Sequence, residues 1–362
     1  MTPPSTALAT TAQTHFEDAH EQLILRHDAA TGLTAVIALH STSLGPAAGG
    51  CRRWHYISTD AAMDDAKRLA EGMSYKNALA NIPFGGGKSV ILADHNDRPT
   101  PAQLQRFAAW LNELQGSYIT AEDVGMGVAE VSQLAEHSPY VSGLGRAGIG
   151  GDPSPFTALG VFLGLRTAVA AHLHTDLRGL RVAVQGLGAV GMALCRLLHD
   201  AGAHLWVADL NRQRVATAVE EFAATPQHVD DIVSAPVDVL APCALGGAIT
   251  DTSAAQLHAR VVAGAANNQL ATPSAGQLLK QRDILFAPDF LINAGGVISV
   301  MHEYLTQCGT LDPAAEAHWV TERLQTIPDR LLEVVSASRS SGAAPEQVAV
   351  QRAREIIAAG HC

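Results

Sequence analysis

Along this chain the apolar positions change period twice. Residues 23–25 and 33–39 are dense in Leu, Ile, Val and Ala around the turn-forming stretch 28–32, which predicts a pair of strands. In residues 60–80 the apolar positions space out to Ala62, Ala66, Leu69 and Met73, one face of a helix. A second helix is predicted over 101–115 and a strand over 117–120. Residues 142–155 carry glycines and prolines, the composition of a hinge. The run 156–173 is apolar apart from Arg166 and is too interrupted for a bilayer, so it predicts a buried helix.

Beyond the hinge, strands and helices alternate. Residues 181–185 and 204–208 read as strands, 190–201 and 215–222 as helices, and short apolar runs recur at 237–240, 260–263 and 284–286. That rhythm predicts a parallel sheet with crossover helices. Residues 313–362 read as helices. The expected architecture is α/β: an N-terminal α/β domain over 19–148, joined by C-terminal helices from about 335–362, and a doubly wound domain over 149–334. Residues 1–18 are expected to be a disordered tail, because 1–13 is rich in Thr, Ala and Pro and lacks a basic n-region or apolar h-region.

With 362 residues there is length for two cores, and 47% hydrophobic with 16% charged residues is a globular balance. A net charge of −11 argues against nucleic acid or an anionic membrane as partner. The five cysteines, Cys51, Cys195, Cys243, Cys308 and Cys362, have no CxxC spacing and fit a reducing cytoplasm. His172 and His174 flank Leu173, but no acidic residue or cysteine completes a ligand set around them, so no metal is expected.

Two stretches carry the chemistry. Residues 72–91 (GMSYKNALANIPFGGGKSVI) place Lys76 in a helical run and Lys88 after three glycines. A lysine at the end of such a loop, near a second lysine and away from water, has its charged form disfavoured, which suits it to act as a general base. Gly87-Lys88-Ser89 resembles the end of a phosphate-binding loop. The glycine which that motif needs five residues before Gly87 is Ile82, followed by Pro83, so the nucleoside-triphosphate reading fails. The second stretch is GxGxxG at Gly186-Leu187-Gly188-Ala189-Val190-Gly191, between a predicted strand and helix. In that context it is a dinucleotide fingerprint. Asp209, 18 residues after Gly191, suits the ribose hydroxyls and favours NAD over NADP, with Arg212 nearby as a contrary signal.

Seven segments in order, LGPAAGGCR (44–52), GMSYKN (72–77), PFGGGKSVI (83–91), ITAEDVG (119–125), VQGLGAVG (184–191), APCALGG (241–247) and FLINAGGVISV (290–300), resemble the leucine, valine and phenylalanine dehydrogenases, relatives of glutamate dehydrogenase. The resemblance runs from about residue 20 onward. It implies that Lys76 binds the substrate α-carboxylate, Lys88 activates water and Asp123 shuttles protons at the amino group. From the residues alone, Asp123 reads as a cap for a helix beginning at Val124. The resemblance further implies that Asn293 and Asn267 or Asn268 hold the substrate or the nicotinamide ribose, and that Arg52 and Thr157 approach the cofactor. Ala48, Ala121, Val297 and Val300 would meet the substrate side chain. All four are apolar, so a second carboxylate would be left buried without a partner, and glutamate is disfavoured.

The implied activity is NAD-dependent, reversible deamination of an apolar L-amino acid to its 2-oxo acid and ammonium. Leucine, valine and isoleucine are favoured and phenylalanine stands next. A catalytically silent NAD-binding sensor is the alternative of another class. The resemblance also implies a homo-oligomer. Met126 departs from the threonine usual at its place, and the sequence alone does not say to what effect.

Overall fold

The apolar runs near the N-terminus do fold as paired strands. The structure is a computed structural model and describes residues 12–14, 20–93, 98–145 and 151–360. The tail apart from 12–14, residues 146–150 of the hinge with the 148/149 boundary, and Cys362 lie outside the described residues.

The first layer comprises β1 (Ala12–Thr14), β2 (Gln22–Asp28), β3 (Leu33–Ser41), β4 (Ala47–Ala48), β5 (Cys51–Trp54), α1 (Thr59–Leu79), β6 (Gly85–Leu92), α2 (Pro101–Glu113), β7 (Tyr118–Ile119) and α3 (Val128–Ala135). Among the described residues the strands form one mixed sheet in the order β1-β2-β3-β6-β4-β7, with β5 also on β6. The period of two decides what each face buries. Leu23, Val36, Ala38 and Val90 pack on Ala62, Ala66 and Ala70 of α1. Ile24, Ala35, Ile37 and Ile91 pack on Leu104, Phe107 and Leu111 of α2. Met126 is fully buried in that second cluster, an apolar filler in the core.

The second layer comprises α4 (Ser154–Leu173), β8 (Arg181–Gln185), α5 (Ala189–Asp200), β9 (His204–Ala208), α6 (Arg212–Phe222), β10 (Thr225–Pro226), β11 (Val239–Pro242), α7 (Asp251–Gln256), β12 (Val261–Val262), α8 (Pro273–Gln281), β13 (Leu285–Phe286), α9 (Asp289–Ile292), α10 (Gly295–Gln307), α11 (Glu316–Ser341) and α12 (Pro345–Ala359). Its six strands are all parallel, in the order β10-β9-β8-β11-β12-β13. This is the doubly wound order, with its switch point between β8 and β11. Helix α4 is long and apolar enough to cross a membrane, yet it runs through this core against α5, α9, α10 and α11.

Four local features depart from the sequence reading. The three glycines before Lys88 are strand residues of β6 and not a loop. On α1 the core-facing stripe is Ala62, Ala66 and Ala70, while Leu69 and Met73 turn to a cleft. Helix α6 starts at Arg212, three residues before the predicted 215, because Asn211 Oδ1 caps the Gln213 and Arg214 N–H groups. Helix α3 starts at Val128, so Asp123 caps nothing; it opens a tight turn in which its backbone exchanges hydrogen bonds with Met126.

Candidate active site

Helix α1 has three working faces. One lies on the sheet and brings the helix backbone unusually near β6: a Cβ on Gly86 would meet the Ser74 nitrogen at 2.1 Å. Only glycine fits there, and the close approach sets Lys76 and Lys88 on two walls of one cleft. The second face, Leu69, Met73 and Lys76, lines that cleft. The third carries Glu71 and Tyr75, which meet Arg354 of α12.

Lys88 is 4% exposed and forms an ion pair with Asp123 Oδ2. Arg52 donates to the other Asp123 oxygen at 3.3 Å and to Asp65 at 3.0 Å. Burial raises the Asp123 carboxyl, but Lys88 and Arg52 outweigh it and the net direction is down. Lys76 is the reverse case. Burial, with Lys88 adding repulsion and Asp289 and Asp123 opposing, pushes it down to about 8.

The second domain closes the cleft. Asn267, Asn268, Val297 and Val300 face Ala121 and the two lysines. Asn293 sits just behind, donating to Asn267 Oδ1 at 2.9 Å and to the Ala265 carbonyl at 3.1 Å. Ala48 is fully buried one residue behind Gly49, which does line the cleft. Sequence reading missed Asp289. It lines the cleft at 6% exposure and accepts from the backbone N–H groups of Gln269 (2.9 Å) and Phe290 (2.8 Å). Its signal was a lone carboxylate four residues before the NAGG segment, which reads as a helix start.

The dinucleotide loop has the geometry its glycines require. Gly186 turns at φ +96°, and a Cβ on Gly191 would strike the Gly186 carbonyl at 2.1 Å, so α5 and β8 pack closely there. Beside Gly188 the space is open, and the start of α5 has no side-chain cap, leaving its N–H groups free for an anion. Gln185 Oε1 and Asn293 Oδ1 are buried acceptors without a partner among the described residues. Leu187 completes the turn, and Ala189 and Val190 begin α5. Asp209 accepts from Leu187 N at 2.6 Å, and its basic neighbour is Arg214 at 3.9 Å, whereas the anticipated Arg212 is exposed. These residues fit a dinucleotide. Thr157 lies at the start of α4, donating to the Pro153 carbonyl and abutting Gly296, and Arg52 is held on the substrate side by two carboxylates. Among the described residues no group of three or more His, Cys, Asp or Glu gathers as a metal site.

Residues 20–140 match the family model for the Glu/Leu/Phe/Val dehydrogenase dimerisation domain, and residues 206–358 match that for glutamate/leucine/phenylalanine/valine dehydrogenase. The chain is 48% identical to the leucine dehydrogenase of Bacillus subtilis strain 168 over 286 residues, 78% of this chain and 79% of that protein. It is 44% identical to the valine dehydrogenase of Streptomyces virginiae over 290 residues, 78% and 81% of the two chains. Its fold superposes on the crystal structure of L-tryptophan dehydrogenase from Nostoc punctiforme with a TM-score of 0.81 at 37% identity, covering 94% of this chain and 96% of that one.

Proposed function

The chain belongs to the Glu/Leu/Phe/Val dehydrogenase family and is an amino-acid dehydrogenase, and on that premise we propose that it deaminates leucine, valine or isoleucine with NAD. The observation that carries this reading is the convergence of Lys76, Lys88 and Asp123 with an apolar wall in one cleft. Lys76 holds the α-carboxylate as a point charge. Asp123 first takes a proton from the substrate ammonium, and bound NAD would supply the acceptor for the hydride that the neutral amine then lets leave Cα. Lys88, once it has lost its own proton to solvent, takes one from the water that attacks the resulting iminium carbon, and its contact with Asp123 sets the two proton-carrying groups side by side. Asp123 protonates the nitrogen as the carbon–nitrogen bond breaks, releasing the 2-oxo acid and ammonium. Reversed, the same steps aminate the oxo acid.

Gly186, Gly188 and Gly191 admit the pyrophosphate at the start of α5, and Asp209 takes the ribose hydroxyls, which supports NAD over NADP. Ala121, Val297 and Val300 offer no partner to a second carboxylate. Phenylalanine stands second, on the small residue Ala121 in the cleft wall. We also read residues 19–148 with 335–362 as the substrate-binding and oligomerisation domain and 149–334 as the cofactor domain. A homo-oligomer is supported by the description of the model matching 20–140. A cytoplasmic setting is supported by four free cysteines among the described residues.

The test is NADH oxidation with ammonium and a panel of 4-methyl-2-oxopentanoate, 3-methyl-2-oxobutanoate, phenylpyruvate, indolepyruvate and 2-oxoglutarate. Preference for a branched-chain acid is expected. Preference for 2-oxoglutarate would overturn the substrate reading, and silence with NADH still bound would favour the sensor.

A further inference from the structure

Residues 142–145 leave the first domain and are fastened to α10 before the chain reaches α4. Ser142 Oγ donates to the Val300 carbonyl at 2.6 Å. The Leu144 and Gly145 N–H groups donate to the two carboxylate oxygens of Glu303, at 2.7 and 3.3 Å, and Glu303 is fully buried. Gly143 sits between these fastenings at φ +83° and lines the same cleft as Lys76. A methyl built on it would lie 3.8 and 3.9 Å from the two Val300 γ-carbons and 3.9 Å from the Ala121 β-carbon. Those are ordinary packing distances, so the place is accessible and currently empty of protein side chain.

We propose that Gly143 is a specificity-determining residue: its bare backbone, pinned between Ala121 and Val300, sets the depth of the recess that takes the substrate side chain. The proposal rests on the dehydrogenase reading above and deepens it. The composition of 142–155 suggested only a hinge. The fastenings make position 143 a wall instead, because a backbone tied on both sides cannot retreat from a larger substrate. The same Glu303 contacts join the recess to the domain crossing, so its depth is fixed when α10 and this segment are in register.

The experiment compares Gly143→Ala, Gly143→Asn and Ser142→Ala with the parent protein. It measures kcat/KM for 2-oxobutanoate, 3-methyl-2-oxobutanoate, 4-methyl-2-oxopentanoate and phenylpyruvate, with NADH affinity and melting temperature alongside. One methylene in a pocket changes kcat/KM by about 10- to 200-fold. Gly143→Ala should therefore lower the ratio of largest to smallest accepted acid about tenfold or more, at unchanged NADH affinity. Alanine is strained at positive φ, and asparagine tolerates that region better, so Gly143→Asn carries the same expectation if Gly143→Ala does not fold. Ser142→Ala, which leaves position 143 untouched, should change the ratio severalfold by freeing the wall. Ratios that stay constant in every folded variant overturn the proposal. If the parent protein turns over none of the acids, the dehydrogenase reading itself falls, and the proposal with it.

Discussion

Lys76 Nζ donates to Asn267 Oδ1 at 3.1 Å, a hydrogen bond between residues 191 positions apart that joins the two domains across the cleft. Asn293 Nδ2 donates to the same oxygen, so Asn267 is held from behind while it meets the lysine. Truncating one partner of such a charge-assisted bond costs about 1–3 kcal/mol. Asn267→Ala should lower kcat/KM for the oxo acid roughly tenfold to a hundredfold, with little change in melting temperature. Steady-state kinetics beside a thermal melt checks this, and an unaltered kcat/KM would remove the bond from the mechanism.

With Lys76 as the proposed carboxylate site, its fall to about 8 predicts a pH dependence of that binding. Below that pH the lysine keeps its proton and binding is flat. Above it, affinity for an unreactive carboxylate such as 4-methylpentanoate should fall, by up to about tenfold per pH unit. The slope ends at the higher pKa that the bound carboxylate confers on the lysine. Titration calorimetry from about pH 6.5 to 10 reads it, and Lys76→Met should be weak and flat throughout. The stability sign is also fixed. Because the folded value lies below the ordinary 10.5, the folded state holds fewer protons between the two, so this group's contribution to stability improves as pH rises from about 8.

Lys88→Ala removes the proposed base and leaves Asp123 with Arg52 as its ion-pair partner. Turnover should fall by at least about a hundredfold, the lower end of what a positioned base contributes. NADH binding, followed by fluorescence, should persist because the dinucleotide loop lies on the other domain. Retained turnover would reassign the proton transfer.

Two glycines of the fingerprint should behave oppositely. Gly191→Ala drives a methyl into the Gly186 carbonyl, so both melting temperature and NADH affinity should drop. Gly188→Ala meets no protein atom within 4 Å, so stability should hold while NADH affinity falls, because the methyl occupies the approach of the pyrophosphate. Loss of stability in Gly188→Ala, or unchanged NADH binding, would count against that approach.

Gly86→Ala places a methyl on the backbone of α1 at Ser74. The helix must move, at a cost of about 1–3 kcal/mol or more. Because Lys76 rides on that helix, kcat/KM should fall further than stability alone explains, which paired denaturation and kinetic measurements separate.

The doubly wound half was legible because its signals are local: a GxGxxG turn, a strand before it, a helix after it. The glycines before Lys88 were misread because nothing local distinguishes a glycine turn from a strand pressed against a helix. What demands glycine at 86 is Ser74, twelve residues back, and at 87 the Tyr118 ring, 31 residues on. Leu69 and Met73 were read on one face with Ala62 and Ala66 since they share a helical period, and periodicity cannot say that a second apolar face lines a cleft. Asp289 escaped notice for a related reason. Its partners are the backbone N–H groups of Gln269, twenty residues earlier, and of Phe290 beside it, and backbone donors leave no mark in a sequence.

The third face of α1 has a consequence in time. Arg354 reaches Tyr75 at 2.9 Å across a sequence separation of 279 residues, and Glu71 across 283. Chains are synthesised from the N-terminus and domains condense as they emerge, while contacts of such separation form late. The helix that carries Lys76 is therefore among the first segments made and among the last finished. Until residues 345–359 have docked, α1 has its sheet but lacks this outer wall. A chain lacking residues 345–359 would keep the sheet face of α1 but not a fully braced Lys76.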